Sequence, residues 1–386
     1  MKQGWEIAEF EKCLEKVTYT NKIQRKDFKD YGIYPIVSQE KDFINGYWDN
    51  EEDLFKVDKP VVIFGDHTQV IKFIDFDFVL GADGVKILKP KDKIDSKYFY
   101  YFLQNIDLGS LGYARHYRLL KEINVAYPKS LPEQQRIVSI LDEAFAAIAK
   151  AKANAEQNLK NAKELFESYL QGMFENKGDG WEERKVKDIG FAQTGTTPKT
   201  AEKENYGDFI PFIKPADVDF SGIGDVRYDN EGLSEIGLKK GRKMESGSIL
   251  MVCIGATIGK VGFAEREVSC NQQINSLTVK KEFEAKFIYY AMTSREFQDK
   301  VLLEGKGAQA TLPIINKSKW ENLTITFPKS KTEQKVIVEK FDALSIESQK
   351  LQEIYLKKIA DLEELKKSIL QKAFAGELKT EKAVAV

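Results

Sequence analysis

Two stretches of the chain, two hundred residues apart, share one pattern of apolar and polar positions. Each begins with a short alternating segment, "INVAYP" from Ile123 and "LTITFP" from Leu323, which predicts a β-strand. A few residues later, each continues for about forty residues without proline or glycine. Because proline and glycine are the residues that most often end helices, both stretches predict one long helix after the strand.

Apolar or small residues recur along the first predicted helix at steps of three and four, as in a coiled coil. They are Ile137, Leu141, Ala144, Ile148, Ala151, Ala155, Leu159, Ala162, Phe166, Tyr169 and Met173. Adding two hundred to each number gives the same ladder in the second helix, interrupted by the polar residues Ser348 and Lys366. We predict that the helices pair with each other, parallel or antiparallel. The alternative is that both are ordinary core helices of one globular domain.

The two stretches align without a gap over residues 123–174 and 323–374. Identical pairs include Pro128/Pro328, Lys129/Lys329, Glu133/Glu333, Gln134/Gln334, Asp142/Asp342, Leu165/Leu365, Gln171/Gln371 and Phe174/Phe374. The opening "GWEIAEFEKCL" is echoed by "GWEERKVKDIG" from Gly180. Such an internal repeat sets the architecture. We predict a first domain at residues 1–130, a first helix at 131–177, a second domain at 178–330, a second helix at 331–378 and a tail at 379–386.

Inside the domains the pattern is that of half-buried sheets with short helices. The runs "PVVIF" and "KFIDFDFVL", with a turn at Gly65 between them, predict strands of the first domain. "GSILMVCIG", "GKVGFAE" and "INSLTVKK" predict strands of the second. The segments "KYFYYFLQN" and "KFIYYAMTS" predict short helices in equivalent positions. The fold class is therefore mixed α/β, with two domains joined by two long helices.

Composition excludes several classes of protein. At 386 residues the chain is long enough for two or more domains. No apolar run approaches a membrane span, and the N-terminus lacks the apolar core of a signal peptide, so we expect a cytoplasmic protein with no membrane partner. Three scattered cysteines and two histidines give no metal-ligand spacing. The net charge of −1 gives no global signal of nucleic-acid binding, so any such site must rest on local patches.

Two segments resemble catalytic motifs without meeting their requirements. "GATIGKV" from Gly255 has three residues between its glycines and a valine after the lysine, whereas a phosphate loop needs four and a hydroxyl. "FSGIG" from Phe220 matches a minimal pattern of S-adenosylmethionine binding. However, the sequence has no Pro-Pro dipeptide, which amino-methyltransferases use beside the target base. We expect no catalytic site and no cofactor on this chain.

The segments "PEQQRIV" and "TEQKVIV", which open the two helices, and "LQGMF" and "LQKAF", which close them, resemble those of the specificity subunit of type I restriction-modification systems. The segments 60–88 and 247–277 resemble parts of target-recognition domains. The resemblance covers nearly the whole chain. It implies a noncatalytic DNA reader in which each domain binds one half of a split, asymmetric double-stranded DNA sequence. It also implies antiparallel helices that give the chain pseudo-twofold symmetry and set the spacing between the domains.

The resemblance further implies the partners of the chain. Two modification subunits would dock on equivalent surfaces and methylate adenine with S-adenosylmethionine, which they and not this chain would bind. Motor-nuclease restriction subunits would join them. Residues identical in both copies are our candidates for partner docking or for the spacer: Glu133, Gln134, Asp142, Glu333, Gln334 and Asp342.

Reading bases in the major groove requires directional donors and acceptors on loops or helix ends. In the first domain we predict DNA contacts from "GDHTQ", at His67, Thr68 and Gln69, and from "YARHYRLLK". In the second segment the candidates are Arg115, His116, Tyr117 and Arg118. The alternative for that basic and aromatic cluster is a solvated helix or loop that packs its tyrosines.

In the second domain four segments supply candidates for DNA binding. They are Thr196, Thr197 and Lys199 in "TGTTPK", Arg242 and Lys243 in "KKGRK", Thr257 and Lys260 in "GATIGK", and Asn271, Gln272 and Gln273. Lysines would neutralise phosphates. The amides of "NQQ" suit adenine recognition, or alternatively they satisfy backbone groups in a turn.

Three other functions are compatible with parts of this pattern. A specificity subunit of a related restriction-modification system with differently arranged catalytic subunits would share every feature. A coiled-coil scaffold joining two protein-binding domains would share the helices but not the hydroxyl- and amide-rich loops. A standalone methyltransferase would require the missing Pro-Pro motif.

Overall fold

The computed structural model describes residues 4–82, 84–109, 112, 114–218, 226–305 and 313–378. The chain divides into two compact units. Unit 1 comprises Met1–Ala155 and Lys357–Val386, and unit 2 comprises Glu156–Leu356. Each unit thus contains one domain and parts of both long helices. The "FSGIG" segment and the predicted tail at 379–386 lie outside the described residues.

Unit 1 begins with a run of short strands and ends in a long helix. Its strands are β1 (Trp5–Glu9), β2 (Lys22–Ile23), β3 (Tyr34–Val37), β4 (Gly46–Trp48), β5 (Leu54–Phe55), β6 (Val61–Gly65), β7 (Ile71–Ile74), β8 (Phe78–Gly81), β9 (Val85–Leu88) and β10 (Asn124–Pro128). Its helices are α1 (Ser96–Gln104), α2 (Tyr117–Lys121) and the first part of α3 (Leu131–Glu175), together with residues 357–374 of the second long helix.

The strands of unit 1 form small sheets around an aromatic core. One sheet has the order β2–β8–β3–β4, with β5 also paired to β8, and another has the order β7–β6–β9. Helix α1 packs on β6 and β7. Asp95, the residue before α1, caps the helix because its carboxylate accepts the backbone N–H groups of Lys97 and Tyr98. The core combines α1 residues such as Tyr98 and Phe99 with side chains of both long helices.

Unit 2 repeats this order with additional helices. Its strands are β11 (Trp181–Lys185), β12 (Gly190–Thr194), β13 (Tyr206–Ile213), β14 (Gly232–Leu233), β15 (Lys243–Met244), β16 (Ile249–Val252), β17 (Val261–Phe263), β18 (Val268–Cys270), β19 (Ile274–Val279) and β20 (Thr324–Pro328). Its helices are α4 (Val186–Ile189), α5 (Glu235–Lys240), α6 (Ala285–Thr293), α7 (Arg295–Gly305), α8 (Lys317–Glu321) and part of α9 (Lys331–Phe374), together with residues 156–175 of α3.

The sheets of unit 2 correspond to those of unit 1. The order β14–β13–β18–β15 contains a parallel β13–β18 pair, as β3–β8 is parallel in unit 1. The order β12–β19–β16–β17 contains the counterparts of β9, β6 and β7. Helix α6 packs on β17, β19 and β20. The predicted mixed α/β fold and the two predicted short helices, which are α1 and α6, are confirmed.

The echoed "GWE" segments occupy the same place in each unit. Trp5 pairs with Pro128 in the antiparallel sheet β1–β10, and Trp181 pairs with Pro328 in β11–β20. Lys129, which follows Pro128, donates its backbone N–H to the carbonyl oxygen of Gly4 at 2.9 Å. Lys329 donates in the same way to the carbonyl oxygen of Gly180 at 3.0 Å. Each domain therefore closes on the strand that leads into its long helix.

The long helices are antiparallel within each unit. In unit 1, Lys152 of α3 pairs with Glu363 of α9, and the ammonium of Lys366 lies 5.0 Å from the ring centroid of Phe145. In unit 2, Phe166 and Phe174 of α3 both contact Phe341 of α9. Because an α-helix rises 1.5 Å per residue, each long helix measures about 65 Å.

The predicted ladder holds along most of both helices and fails at two positions. Tyr169 is 39% exposed, and the neighbouring Leu170 is buried in its place. Lys366, already a polar interruption, is exposed. The helices end at Glu175 and Phe374, two and four residues before the predicted ends. None of the helices in the described ranges has the length and apolarity needed to cross a membrane.

Candidate nucleic-acid interface

The two segments predicted to bind DNA in the first domain meet at Asp66, which is the residue after β6. Its buried carboxylate accepts the backbone N–H of Tyr117 at 2.7 Å, and its carbonyl oxygen accepts the N–H of His116 at 2.7 Å. These bonds hold the start of α2 against the loop 66–69. We call residues 66–69 together with 115–118 the first cluster.

The loop of the first cluster is also fastened to Gln39. The backbone N–H of His67 donates to Gln39 Oε1 at 3.1 Å, and the hydroxyl of Thr68 donates to the Gln39 carbonyl at 2.6 Å. Gln69 has a φ of +57°, in the left-handed region that costs a non-glycine residue energy. Its amide donates to the carbonyl of Gly109 at 2.8 Å. The loop is thus held in one shape.

Burial distinguishes the residues of the first cluster from one another. His116 is only 1% exposed, with Nδ1 3.1 Å from the Asp66 carbonyl, so its ring does not face a ligand in this arrangement. Tyr117 packs edge-on against Phe10, and burial raises the pKa of its phenol. The alternative of packed tyrosines therefore describes these two residues better than base contact. The sequence contained no signal for this burial, because Asp66 lies fifty residues away.

Arg115 and Arg118 are the exposed cations of the first cluster. Neither guanidinium forms an ion pair with any residue that the structure describes. By contrast, Lys121 at the end of α2 pairs with Glu11 at 2.7 Å, and this hydrogen bond raises the pKa of Lys121. The two arginines are consequently the side chains here best placed to contact phosphates.

In unit 2 the structure brings together segments that the sequence separates by more than seventy residues. Thr197 donates its hydroxyl hydrogen to Gln272 Oε1, and the N–H of Thr196 donates to the Cys270 carbonyl at 2.8 Å. Arg242 donates from Nη1 to the Thr194 carbonyl at 2.6 Å. We call residues 194–199, 253–260 and 271–273 the second cluster.

Asn271 and Gln272 of the "NQQ" segment fit different roles among the two predicted for it. Asn271 is 7% exposed, accepts the N–H of Gln273 at 3.1 Å and donates to Gln273 Oε1 at 3.0 Å. It shapes the turn, as the alternative proposed. Gln272 is exposed at the tip. Gly195 packs against this turn so closely that a Cβ would lie 2.1 Å from the Asn271 carbonyl oxygen, so only glycine fits there.

The three candidate lysines of the second domain all contact neighbouring groups. Lys243 pairs with Glu267 at 2.8 Å and with Glu245 at 3.3 Å, and these carboxylates raise its pKa. Lys199 lies 3.5 Å from Glu202. Lys260 donates to the Val218 carbonyl at 3.1 Å. These contacts do not favour the prediction that Lys243 and Lys260 neutralise phosphates. Thr257 is exposed.

The two clusters occupy equivalent positions in the two units. In each cluster one loop follows an inner strand of a sheet: residues 66–69 follow β6, and residues 253–260 follow β16. The first residue after that strand, Asp66 or Cys253, donates its N–H to the carbonyl of Gly84 or Gln273, at 2.7 Å in both cases. Its own carbonyl accepts an N–H from the segment before α2 or α8. The repeat found in the helices therefore extends to the loops.

Of the six residues predicted to dock partners or form the spacer, four join a domain to its long helix. Two of these are glutamines. Gln134 is fully buried, and its amide donates to the Pro128 carbonyl at 2.7 Å and accepts the N–H of Asp95 at 2.7 Å. Gln334 makes the matching contacts with Pro328 and Glu284, both at 2.8 Å.

The carboxylates of this set have different surroundings. Asp142 and Asp342, the other two joining residues, each contact a lysine and a tyrosine of the adjoining domain. Glu133 forms a two-point ion pair with Arg136, with both distances at 2.7 Å, and Glu333 is exposed.

Three side chains that shape or border these loops were not among the predicted residues. The first is Gln39, which holds the loop of the first cluster. The second is Lys72, which is 4% exposed and donates to the Asp42 carbonyl and, at 3.0 Å, to Asn45 Oδ1, so it fastens the loop after β3. The third is Arg266, which stacks on Tyr228 at 4.4 Å beside an open cleft of unit 2. A buried lysine can be recognised in a sequence as a charge inside an apolar strand, and Lys72 in "VIKFI" has that form.

Chemically, the described loops offer donors and acceptors rather than reactive groups. Among the described residues, no group of three or more His, Cys, Asp or Glu side chains is arranged to hold a metal ion. Burial raises the pKa of the Cys253 thiol to about 12 and also raises that of Cys270, so both stay protonated. The loops are suited to recognition.

Comparison with known proteins agrees with this geometry. Over 344 residues the chain is 27% identical to the type I restriction enzyme EcoR124I/EcoR124II specificity subunit of Escherichia coli, covering 84% of this chain and 83% of that protein. It is 31% identical over 181 residues to the HindI specificity subunit of Haemophilus influenzae, covering 45% and 39% of the two chains.

Solved structures share the fold. A chain from a structure on complex assembly and conformational transition of the type I R-M system matches with a TM-score of 0.71 at 16% identity, covering 98% of this chain and 99% of that one. The HsdS subunit of Thermoanaerobacter tengcongensis matches with a TM-score of 0.56 at 15% identity, covering 97% of each chain.

Both halves of the chain match one family model. It is described as the type I restriction modification DNA specificity domain, and it matches residues 3–160 and 178–356. This match favours the specificity-subunit interpretation over the scaffold and the standalone methyltransferase. The chain belongs to the type I restriction-modification DNA specificity family, the specificity subunits that recognise DNA for these systems.

Proposed function

We propose that this chain reads a bipartite, asymmetric DNA sequence, with one half-site for each domain. The observation that carries the proposal is the repeat of the whole arrangement: each unit has a loop cluster at the end of an inner strand and a domain fastened to a long helix. Two readers of different loop sequence on one chain give two different half-sites. The long helices would set the gap between them.

The exposure and charge of the candidate residues determine which of them would contact phosphates and which would contact bases. In the first domain, Arg115 and Arg118 would contact phosphates, which fix register without reading sequence. In the second, Gln272 and Thr257 would reach base edges, and an amide can bond an adenine through two hydrogen bonds. Because the net charge of the chain is only −1, we expect tight DNA binding only when partner subunits share the phosphate contacts.

The proposed partners are two modification subunits and, in the restricting complex, motor-nuclease subunits. The twofold repeat supports two equivalent docking surfaces on the long helices. Adenine methylation would take place on the modification subunits, which would bind S-adenosylmethionine and receive the flipped base. This chain would supply only position and sequence. A cytoplasmic location, together with host DNA, fits this role.

An exchange of one domain tests the proposal. Residues 180–325 are replaced by the corresponding segment of a related chain, and the complex with its modification subunits is tested on a library of DNA sites. We expect one half-site to change while the other half-site and the gap stay constant. If both half-sites change together, the domains do not read DNA independently and the proposal fails. An exchange of residues 4–130 serves as the reciprocal control.

A further inference from the structure

Each long helix carries an aspartate that is gripped by the adjoining domain. In unit 1, Asp142 of α3 accepts hydrogen bonds from Lys97 at 2.7 Å and from the Tyr101 hydroxyl at 2.5 Å. The two donors lie four residues apart on α1, so they project from the same face of that helix. One carboxylate therefore ties α1 to α3 through both of its oxygens.

Unit 2 contains the same arrangement in different sequence surroundings. Asp342 of α9 accepts from Lys286 at 2.8 Å and from the Tyr290 hydroxyl at 2.5 Å, and both donors lie on α6. The spacing of the donors is again four residues. The donors belong to the equivalent segments "KYFYY" and "KFIYY", in which the lysine and the tyrosine that bind the aspartate are identical while some other positions differ. The repeated geometry indicates a common task.

A second contact in each unit prevents the domain from rotating about the aspartate. Gln134 and Gln334 each accept the backbone N–H of the residue before α1 or α6. They precede Asp142 and Asp342 by eight residues, or about 12 Å along the helix axis. Two attachment points that far apart fix both the position and the angle of the short helix on the long one.

The chemistry of these contacts suits a rigid attachment. Burial, together with the hydrogen bond to the aspartate, raises the pKa of Tyr101 and of Tyr290, so both hydroxyls remain donors at any physiological pH. Hydrogen bonds to a carboxylate are shorter and stronger than those between neutral groups. Tyr101 is only 6% exposed and Tyr290 only 1%, so water does not compete freely for the tyrosine side of the contact.

We propose that Asp142 and Asp342 are positioning residues that hold each recognition domain at a fixed angle on its long helix and thereby set the gap tolerated between the two half-sites. Neither aspartate contacts DNA in this role. The inference rests on the proposed reading of a bipartite site. It differs from a purely structural role because it predicts a change in the geometry of recognition, and not only in stability.

The test compares substrates that carry the same two half-sites separated by the natural gap or by one base pair more or less. The variants are D142A with D342A, which remove the acceptors, and D142N with D342N, which keep the shape and one acceptor oxygen. The control is E164Q, which breaks the exposed Lys160–Glu164 pair on α3 and touches neither domain. Each is prepared in complex with its modification subunits, and methylation is measured on every substrate.

We expect the alanine pair to lower the preference for the natural gap by about tenfold, the factor that removal of one charged hydrogen bond can supply. The asparagine pair should fall between it and the wild type, and E164Q should match the wild type. Half-site preference should not change. Unaltered gap preference in the alanine pair, with uniformly weaker methylation, would overturn the positioning role.

Two further results distinguish a failure of the positioning role from a failure of the proposed function. If the wild-type complex shows no bipartite preference at all, the proposed function fails and the positioning role fails with it. If the alanine pair does not fold, the milder Y101F with Y290F pair, which removes only the hydroxyls, decides the question by the same gap measurement.

Discussion

The hydroxyl of Ser348 donates a 2.6 Å hydrogen bond to the carbonyl oxygen of Ala162. Both residues are almost fully buried where α3 and α9 pair in unit 2. In the sequence, Ser348 is a polar interruption of the apolar ladder of the second long helix. In the structure it is a small residue that lets the two helices approach each other and satisfies its own hydroxyl.

Enlarging Ser348 should therefore cost more than removing its hydroxyl. We expect S348A to lower the free energy of unfolding by about 1 kcal/mol, the net value of one hydrogen bond. S348L should lower it by about 1 to 3 kcal/mol, because a larger side chain overpacks the seam. Urea unfolding of the full chain measures both. If S348L proved as stable as the wild type, the seam would be looser than the buried hydrogen bond implies.

The exposed arginines of the first cluster give a prediction about salt dependence. The double variant R115A with R118A should weaken DNA binding to all sequences. It should also reduce the slope of log K against log salt concentration by about 0.9 for each phosphate that is no longer neutralised. Affinity titrations of the complex at several salt concentrations measure this. K121A is the matched control, because Lys121 is on the same short helix but is already paired with Glu11.

If K121A changed the slope as much as the arginine variant, the change in slope would reflect the loss of positive charge anywhere on this surface and not the loss of particular phosphate contacts. An unchanged slope in the arginine variant would show that neither guanidinium contacts phosphate.

The turn at residues 271–273 predicts different outcomes for neighbouring amides. Q272A should relax base preference at one position of one half-site, lowering discrimination by about 1 to 3 kcal/mol. N271A should instead destabilise the second domain, because Asn271 holds the turn through two hydrogen bonds. Methylation of a randomised half-site library, with thermal unfolding beside it, separates the two. Equal reduction of discrimination in both variants, with unchanged stability, would contradict this assignment.

Long-range periodicity made the fold predictable. The uninterrupted ladder gave both long helices, and the gapless repeat gave the two-domain plan, because these signals average over many residues. Tyr169 was misplaced because near its C-terminus α3 turns a different face to the domain core, where Leu170 and Phe174 are buried. A pattern of apolar positions along one face of a helix does not show that the buried face changes near the end of the helix.

The sites were less predictable because they depend on contacts between distant segments. The buried ring of His116 lies against the Asp66 carbonyl, and Lys243 pairs with Glu267 in addition to the nearby Glu245. Asp66 is 50 residues from His116, and Glu267 is 24 residues from Lys243. The repeat predicts a role for Asp142, but its contacts with Lys97 and Tyr101 depend on the packing of α1 on α3. The DNA contacts remain predictions.

Lys72 supplies a dependence on pH. Burial lowers its pKa from 10.5 to about 8, against the opposing influence of Glu40 and Asp42. Between about pH 8 and pH 10.5, Lys72 is more often protonated in the unfolded chain than in the folded chain. The free energy of unfolding therefore rises with pH in this range. The rise is at most about 1.4 kcal/mol for each unit of the pKa difference.

The variant K72M should lack this rise, although it will be less stable throughout because the carbonyl of Asp42 is left without its donor. Urea unfolding of both proteins at intervals between pH 8 and pH 10 gives the difference in slope. K56M, which alters an exposed lysine paired with Glu51, is the control. Parallel curves for the wild type and K72M would contradict the lowered pKa.

The most direct test of bipartite reading is a map of N6-methyladenine in DNA from cells that express this chain with its modification subunits, obtained by single-molecule sequencing. We expect methylation at one motif made of two different half-sites with a constant gap, and none when the chain is omitted. Methylation at a single undivided motif, or the same pattern without this chain, would contradict the proposed role.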